Sequence, residues 1–352
     1  MAGSGTAWPD VLAALVAGRD LGAEQTAWAM GEILSGEATP SQIAGFAIAL
    51  RAKGETIEEV EGLVAAMYEH ATPLTIVGRV LDVVGTGGDR SFSVNISTMA
   101  AIVAAGAGAP VVKHGNRSAS SKAGSADVLE KLGIRLDLPA TDVARVAEQA
   151  GITFCFAAAF HPALRFAAVP RRELGVATTF NFLGPIANPA RPAAQAIGCA
   201  DRSMAPVMAG VFARRGADAW VFRGDDGLDE LTTTTTSSLW VAAGGEVRET
   251  VVDPGRLGLA TATPDDLRGG DRAYNADVVH EVLAGRGGPA RDAVLLNAAA
   301  AIAVYDGIDV SSTVDSQLAA GLDEARRAVD TGAAAELLER WAGASQRARA
   351  EG

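Results

Sequence analysis

The chain has 352 residues, a formal net charge of −12 and hydrophobic residues at 49% of its positions. This length and composition predict one large folded domain and a smaller one, and they exclude a disordered chain. The excess of acids argues against a nucleic-acid-binding groove, which requires a basic face. Cys155 and Cys199 lie in apolar runs, and we expect them to be reduced core residues of a cytoplasmic protein.

One uncharged stretch, residues 91–112, is long enough to suggest a transmembrane helix. It contains Asn95, however, and is interrupted by two glycines and by Pro110. We therefore interpret it as a buried helix followed by a strand, and we expect no membrane association.

Residues 1–73 are predicted to form a small all-helical domain. Apolar residues recur at helical spacing over 8–18 and 24–35. Thr39 and Thr56 each begin a capping box, which predicts two further helices. The bundle is expected either to use an apolar face for self-association or only to pack against its own chain.

Residues 74–352 alternate short apolar runs with helical patterns, which predicts an α/β domain with a largely parallel central sheet flanked by helices. The predicted strands are 80–84, 110–112, 152–156, 194–199 and 219–222, with a hairpin of 240–243 and 246–252. The predicted helices are 98–105, 127–132, 141–150, 162–173, 204–214, 276–284, 292–305 and one long run from 314 to about 349. The threonine tract 232–236 is expected to be a loop or a strand edge without a chemical role.

The chemistry is expected to centre on residues 82–125. A predicted strand ends at Val84 and is followed by the glycine-rich turn 85–89, a polar stretch and the start of a helix. Glycines let the backbone approach a phosphate, and free N–H groups at a helix start face the anion. Basic residues outnumber acidic ones in this window although the whole chain is acidic. These features predict a phosphorylated ligand.

A second candidate is the acidic turn 225–230, which holds four acids directly after a predicted strand. In a strand-end turn Asp229 and Glu230 can converge, and carboxylates without a neighbouring His or Cys favour Mg²⁺. An acidic turn is more often only solvated surface, so both interpretations stay open.

Two further segments have residues that could bind the carboxylate and the ring of an aromatic acid. Arg171 or Arg172 could hold a carboxylate with its planar guanidinium, although paired arginines more often face water or form ion pairs. Residues 181–185 are expected to be an apolar turn, which could wall a pocket for a flat ring or could simply end a helix.

The motifs GTGGD, NIST, KHGNR, SSKAGSADVLE, HPALR, VPRRELG, FNFLGP and DGLDE follow one another in an order and at a spacing that resemble the anthranilate phosphoribosyltransferase family. The likeness runs from about residue 8 to 345. That family joins anthranilate to the ribose of phosphoribosyl pyrophosphate in tryptophan biosynthesis, with release of pyrophosphate. The resemblance implies two Mg²⁺ ions per subunit, a helical domain beside an α/β domain, and a homodimer formed through the helical part.

The resemblance also implies roles for individual residues. The phosphoribosyl pyrophosphate site would be lined by Gly85, Gly88, Asp89 and Ser93. Its phosphates would be held by Asn95, Ile96, Ser97 and Thr98, with Ser97 also on one Mg²⁺. The donor and its pyrophosphate would be wrapped by Lys113, His114, Gly115, Asn116, Arg117, Ser118, Ala119, Ser120 and Ser121, and closed in by Ser125. Anthranilate would contact Asn116 and Arg171, the latter at the carboxylate, and the second Mg²⁺ would bind Asp229 and Glu230. Two departures are mild, Arg90 where small residues are frequent and Ser93 where threonine is common.

Anthranilate's amine is neutral at pH 7 and already nucleophilic, which agrees with the lack of an obvious general base in the sequence. We expect catalysis to come from alignment of the amine with C1′, while Mg²⁺ and Lys113 or Arg117 take up charge on the departing pyrophosphate. Two alternatives remain: a pyrimidine-nucleoside phosphorylase of similar fold, and a non-catalytic relative that binds nucleic acid. DGLDE and KHGNR argue against the first, and the acidic charge argues against the second.

Overall fold

The structure, a computed structural model, describes residues 6–117 and 122–348. Within these residues four helices precede the first strand, and strands then alternate with helices. The helices are α1 (Trp8–Val16), α2 (Ala23–Ser35), α3 (Pro40–Lys53), α4 (Ile57–His70), α5 (Ile96–Gly106), α6 (Ser125–Lys131), α7 (Ala140–Ala150), α8 (Ala157–Phe160), α9 (Arg165–Leu174), α10 (Phe180–Ile186), α11 (Ala205–Arg214), α12 (Arg272–Leu283), α13 (Pro289–Asp306), α14 (Val314–Asp330) and α15 (Ala333–Arg347). The strands are β1 (Leu81–Gly85), β2 (Val111–Gly115), β3 (Ile152–Phe156), β4 (Ala194–Gly198), β5 (Asp218–Gly224), β6 (Ser237–Ala243) and β7 (Glu246–Val252).

The seven strands form one sheet in the order β3-β2-β1-β4-β5-β6-β7. Strands β1 to β5 are parallel, and β6 and β7 form an antiparallel hairpin at one edge. The strands and the hairpin expected from the sequence are confirmed. The chain moves to one side of β1 and then crosses to β4 on the other side, so the sheet has its switch point between β1 and β4, where a crevice is expected outside their carboxyl ends. In sheets of this kind, ligands bind in such a crevice.

Both faces of the sheet are buried, as parallel sheets require. In β5, Trp220 and Phe222 face a core built largely from α5 and α13 to α15, whereas Ala219 and Val221 face a core shared with α1 to α4 and α9 to α11. Alternate residues of one strand thus serve the two cores. The sheet is therefore a rigid platform, and its strand ends can hold functional side chains in fixed positions.

The two capping boxes at α3 and α4 are confirmed. The side chains of Thr39 and Thr56 accept hydrogen bonds from the backbone N–H groups of Gln42 and Glu59 at 3.3 and 3.2 Å. The first four helices do not form a core of their own, because their apolar residues pack with those of α9 to α11 and one face of the sheet. The helical part is therefore attached to the rest of the chain by a continuous apolar core.

Two expectations about helices were wrong. The run from 314 to 349 consists of two helices, because Gly332 adopts a left-handed backbone, with φ of 83°, between α14 and α15. Residues 181–185 are not a turn but lie within α10. Phe182, Leu183 and other apolar side chains of this helix are buried, and tertiary packing of this kind stabilises a short helix despite an unfavourable sequence.

The stretch 91–112 does contain a buried helix followed by a strand, α5 and β2, as expected. Across the residues that the structure describes, no helix combines the length and the apolar character needed to cross a membrane.

Candidate functional site

A glycine bend leads away from β1 over the crevice. Gly87 and Gly88 have φ of 70° and 85°, a region that glycine occupies without strain. A Cβ atom on Gly85 would lie 2.4 Å from Oδ2 of Asp229, and one on Gly198 at the end of β4 would lie 1.6 Å from the backbone oxygen of the same residue. The glycines thus allow the acidic turn to approach the ends of β1 and β4.

The loop that follows the bend is strained and pinned. Arg90 and Phe92 have φ of 60° and 55°, which is costly for residues with a side chain. Two backbone hydrogen bonds to the segment before α12 hold the loop. The N–H of Gly269 donates to the oxygen of Phe92 at 2.7 Å, and the N–H of Val94 donates to the oxygen of Leu267 at 2.9 Å. A strained conformation maintained by its surroundings is typical of ligand-binding loops.

Two polar atoms of this region are buried without a hydrogen-bond partner among the described residues, Oδ2 of Asp89 and Oγ1 of Thr98. Thr98 lies in the first turn of α5, next to Ser97, and Asn95 is the N-cap residue directly before this helix. Nδ2 of Asn275 donates to Oδ1 of Asn95 at 2.8 Å and fixes that amide. These two atoms thus have hydrogen-bonding capacity left over beside the glycine bend and the start of α5.

The acidic turn after β5 brings two carboxylates into the crevice. The backbone N–H of Gly87 donates to Oδ2 of Asp229 at 2.6 Å. Asp229 and Glu230 are only 8% and 7% exposed, so the interpretation of this pair as solvated surface is excluded. The expected convergence of the acid pair with the glycine bend is confirmed.

The electrostatics of the pair suit a cation. Burial raises the pKa of Asp229 to about 7, and the negative charge of Asp89 adds to this effect, whereas the N–H of Gly87 opposes it. Burial and the charge of Asp229 raise the pKa of Glu230 well above its usual range. The described residues contain no group of three or more His, Cys, Asp or Glu side chains arranged to hold a metal alone. Mg²⁺ bound with a phosphate substrate needs only one or two carboxylates, so this donor set fits it.

Lys113 supplies the positive charge of the site. It extends from β2 with its side chain buried, and Nζ donates to the backbone oxygen of Val83 at 2.5 Å and to Oγ of Ser97 at 3.3 Å. Burial lowers the pKa of Lys113 to about 8, whereas the charges of Asp82, Glu230 and Asp229 favour its protonated form. The side chain thus remains largely cationic at neutral pH, between β1 and the start of α5.

His114 is also buried, whereas Gly115, Asn116 and Arg117 are more exposed. Gly115 must be a glycine, because a Cβ atom there would lie 2.5 Å from Oγ of Ser125. That hydroxyl donates to the backbone oxygen of Asn116 at 3.2 Å. The guanidinium of Arg117 is already paired, with Asp127 at 2.8 Å and Glu130 at 2.7 Å. The predicted residues Ser118, Ala119, Ser120 and Ser121 lie outside the described residues.

Arg171 lies on α9 with a half-buried guanidinium 5.6 Å from the centre of the Phe180 ring. Burial lowers its pKa, and no ion pair with Arg171 occurs within residues 6–117 and 122–348. Arg172 is exposed. Phe180 begins α10, whose Gly184 oxygen contacts Nδ1 of His114 at 2.8 Å. The guanidinium of Arg171, which lies over an aromatic ring and has no ion-pair partner among the described residues, is thus beside α10, which packs against β2.

Comparison with known proteins identifies this arrangement. Residues 77–335 match the model for the glycosyl transferase family a/b domain, and residues 9–71 match the model for its helical bundle domain. A Nocardioides protein named anthranilate phosphoribosyltransferase is 72% identical, over 97% of this chain and 99% of its own length. The chain belongs to the anthranilate phosphoribosyltransferase family.

Further members support the assignment. An Arthrobacter anthranilate phosphoribosyltransferase is 60% identical over 96% of both chains. The crystal structure of anthranilate phosphoribosyltransferase from Thermus thermophilus is 38% identical, covers 96% of this chain and 99% of that chain, and superposes with a TM-score of 0.88. A Saccharomyces cerevisiae anthranilate phosphoribosyltransferase in complex with PRPP and Mg is 24% identical, covers 97% and 98% of the two chains, and has a TM-score of 0.87. This last comparison shows the shared fold.

Sequence reasoning missed Asp82, which lies inside β1 and is fully buried. Its carboxylate accepts from the backbone N–H of His114 at 2.9 Å and from Nδ2 of Asn188 at 2.8 Å. Burial raises the pKa of Asp82 to about 6, and these two donors oppose the rise. The sequence did contain an indication of its importance, because a single acid within an otherwise apolar strand is costly to bury and is rarely found there without hydrogen-bond partners.

Two buried histidines lie behind the site. The rings of His114 and His161 are 5.5 Å apart, and Nε2 of His161 bonds the oxygen of Ala187 at 2.9 Å. Burial lowers the pKa of His114 to about 4 and that of His161 to about 3. Both imidazoles are therefore neutral at pH 7, and neither adds charge to the site.

Acid should destabilise the fold through these histidines. Their folded pKa values lie below the ordinary value of about 6.5, so the unfolded chain takes up protons first. The stabilisation is complete above that value and is lost as pH falls from about 6.5 towards 4 and 3. At about pH 5 the loss is about 2 kcal/mol for each histidine. The buried carboxyls with raised pKa values act in the opposite direction but equally in wild type and variants, so the difference between proteins reports the histidine. In urea unfolding, the stability change between about pH 7.5 and pH 5 should be about 2 kcal/mol more favourable in His161→Gln than in wild type. The exposed control His280→Gln should match wild type, and equal pH dependence in wild type and His161→Gln would contradict the assignment.

Proposed function

We propose that this chain transfers the phosphoribosyl group of 5-phosphoribosyl 1-pyrophosphate to the amine of anthranilate, with release of pyrophosphate, as a step of tryptophan biosynthesis. The observation that carries the proposal is the convergence of the acid pair Asp229 and Glu230 with the glycine bend at the switch point of the sheet. The identity of 72% with a named anthranilate phosphoribosyltransferase supports it.

The donor occupies the crevice between the glycine bend and the start of α5. The bend offers backbone N–H groups, and α5 offers the hydroxyls of Ser97 and Thr98 together with its helix N-terminus, all of which suit phosphate oxygens. Gly85, Gly88, Asp89 and Ser93 line the same loop, and Asn95 and Ile96 lead into the helix. This combination binds a strongly anionic sugar within an acidic protein because the local donors are neutral or cationic.

The metal sites of the proposal are two Mg²⁺ ions per subunit, one at Asp229 and Glu230 and one that includes Ser97. Mg²⁺ supplies positive charge against the phosphates and holds their oxygens in place. Burial raises the pKa of Asp229 and of Glu230, and a bound cation would favour the ionised form of both carboxyls.

The acceptor lies on the side of α9 and α10. Arg171 holds the carboxylate of anthranilate, and Phe180 supports the guanidinium from behind. Asn116, at the end of β2, contacts the same substrate. In the reaction the bond from nitrogen to C1′ forms, the bond from C1′ to the pyrophosphate oxygen breaks, and the proton lost by the amine passes to the departing pyrophosphate or to water. The neutral amine needs no strong base, in agreement with two histidines that are buried behind the site.

Positive charge for the departing pyrophosphate comes from the protein as well. Lys113 is buried beside Ser97 and is our first candidate for this role. Arg117 is the second candidate, and it must leave or share its pairs with Asp127 and Glu130 to serve. Preorganised charge of this type favours the transition state because it costs little reorganisation during the reaction.

Replacing both acids, Asp229→Asn with Glu230→Gln, should reduce turnover by orders of magnitude and raise the Mg²⁺ requirement. Activity is followed as the loss of anthranilate fluorescence after addition of phosphoribosyl pyrophosphate and Mg²⁺. A matched control is the adjacent Asp–Glu pair on the surface of α14, Asp323→Asn with Glu324→Gln, which should keep full activity. Unchanged turnover in the first double variant would reject the metal role, and no activity in the wild type would reject the function.

Arg171→Ala should raise the KM for anthranilate roughly tenfold or more and leave the KM for phosphoribosyl pyrophosphate nearly unchanged, because a charged hydrogen bond is worth about 1.5–3 kcal/mol. Arg172→Ala, its exposed neighbour, is the control and should alter neither constant. An effect restricted to the phosphoribosyl donor would contradict the placement of anthranilate at Arg171.

We also propose a cytoplasmic homodimer that forms through the helical part, with the domain boundary at 73/74 in the irregular segment before β1. Two free buried cysteines suit a reducing compartment. Exposed apolar side chains on the contacting helices α1, α3 and α9, which include Val16, Ile48 and Val169, supply a face for self-association. Sedimentation should give the dimer mass, and Ile48→Glu on α3 should shift it towards the monomer. A monomer in the unaltered protein would reject this part of the proposal.

A further inference from the structure

The threonine tract 232–236 encloses the acidic turn. Oδ2 of Asp226 accepts from the hydroxyl of Thr232 at 2.7 Å and also from the hydroxyl of Thr234, and Oδ1 accepts from the N–H of Leu228 at 3.1 Å. Asp226 therefore ties the first half of the turn to the segment that leaves it. We call these contacts the threonine clasp.

A second contact holds the turn from the opposite core. Asn297 is buried on α13, and its amide makes two bonds with the backbone of Leu231, the residue directly after Glu230. Oδ1 accepts from the Leu231 N–H at 2.9 Å, and Nδ2 donates to the Leu231 oxygen at 2.8 Å. Nδ2 also donates to the oxygen of Ala293 at 2.9 Å, which fixes the amide on its own helix. The amide of Asn297 thus makes with Leu231 the two hydrogen bonds that the backbone of a neighbouring strand would otherwise make.

Asp225, the first acid of the turn, is also held by hydrogen bonds to the segment that follows the turn. The hydroxyls of Thr236 and Ser238 donate to the carboxylate of Asp225 at 2.5 and 3.2 Å, and its N–H donates to the oxygen of Thr236 at 2.9 Å. The four acids thus divide into two pairs. Asp225 and Asp226 are exposed and bonded mainly to the threonine tract and Ser238, whereas Asp229 and Glu230 are buried.

Such restraint has a physical purpose. Two carboxylates buried side by side repel each other, and a flexible turn would separate them and move them into water. The clasp and the amide of Asn297 oppose this movement on both sides of the pair. Groups that orient metal ligands in this way commonly contribute about 10–100-fold to metal affinity or activity.

We propose that Asp226, Thr232 and Asn297 are positioning residues that hold Asp229 and Glu230 in the geometry needed for Mg²⁺. The proposal rests on the proposed function of the acid pair and extends it to residues that touch neither substrate nor metal. It also assigns a role to the threonine tract, for which the sequence suggested none.

Thr232→Val tests the clasp, because it removes the hydroxyl and keeps the volume of the side chain. Thr233→Val is a closely matched control. Thr233 lies in the same tract and is equally buried, and its hydroxyl has no partner among the described residues. We expect the Mg²⁺ concentration for half-maximal turnover to rise about tenfold in Thr232→Val and to stay unchanged in Thr233→Val.

Asn297→Leu tests the contact from α13, with Gln195→Leu as its control. Gln195 is a buried amide on β4, near the strand end opposite to the crevice. Asn297→Leu should raise the half-saturating Mg²⁺ concentration by about 10–100-fold, whereas Gln195→Leu should not change it. If Asn297→Leu fails to fold, the Mg²⁺ requirement of Thr232→Val still tests whether the acidic turn must be held in place.

Amide hydrogen exchange without metal gives a readout independent of activity. Peptides that span residues 225–237 should exchange faster in Thr232→Val and Asn297→Leu than in their controls. An unchanged Mg²⁺ requirement in both variants would overturn the inference while the acid-pair substitutions still confirmed the metal site. If the acid-pair substitutions themselves left the Mg²⁺ requirement unchanged, the proposed function would fail first.

Discussion

A buried concentration of negative charge is the constraint on which the rest of this site depends. Asp229 and Glu230 lie in the crevice with Asp89 close by, and burial raises the pKa of both members of the pair. A fold tolerates this arrangement only when other forces hold the groups in place. The glycine positions, the buried Lys113 and the contacts of the acidic turn can all be understood as responses to that one electrostatic cost.

The first response is steric. The turn after β5 can cover the ends of β1 and β4 only because Gly85 and Gly198 present no Cβ atom to Asp229. The second response is electrostatic. Lys113 occupies the gap beside β1, where its buried ammonium offsets part of the negative charge and donates to Val83 and Ser97. The glycine bend and the acidic turn are thereby coupled, although they are far apart in sequence.

Side chains also replace part of the sheet at the site. Beyond the pair Leu81–Val111, the carboxylate of Asp82 bonds the backbone of His114, and the ammonium of Lys113 bonds that of Val83. The carboxyl ends of β1 and β2 are thus joined by ionisable groups rather than by a regular ladder. The carboxyl ends of β1 and β2 thus carry polar side chains, while the two strands still pair at their start, at Leu81 and Val111.

Local patterns in the chain were enough to predict the strands, the capped helices, the glycine bend and the acidic turn, because these depend on periodicity and on the backbone preferences of glycine and threonine. The motifs also indicated the family. Other features emerged from the folded molecule alone: 314–347 is two helices, Arg117 is paired with Asp127 and Glu130, Asp82 bonds the backbone of His114, and Asn297 bonds that of Leu231. These features depend on packing and on contacts between distant parts of the chain, which a local pattern does not encode.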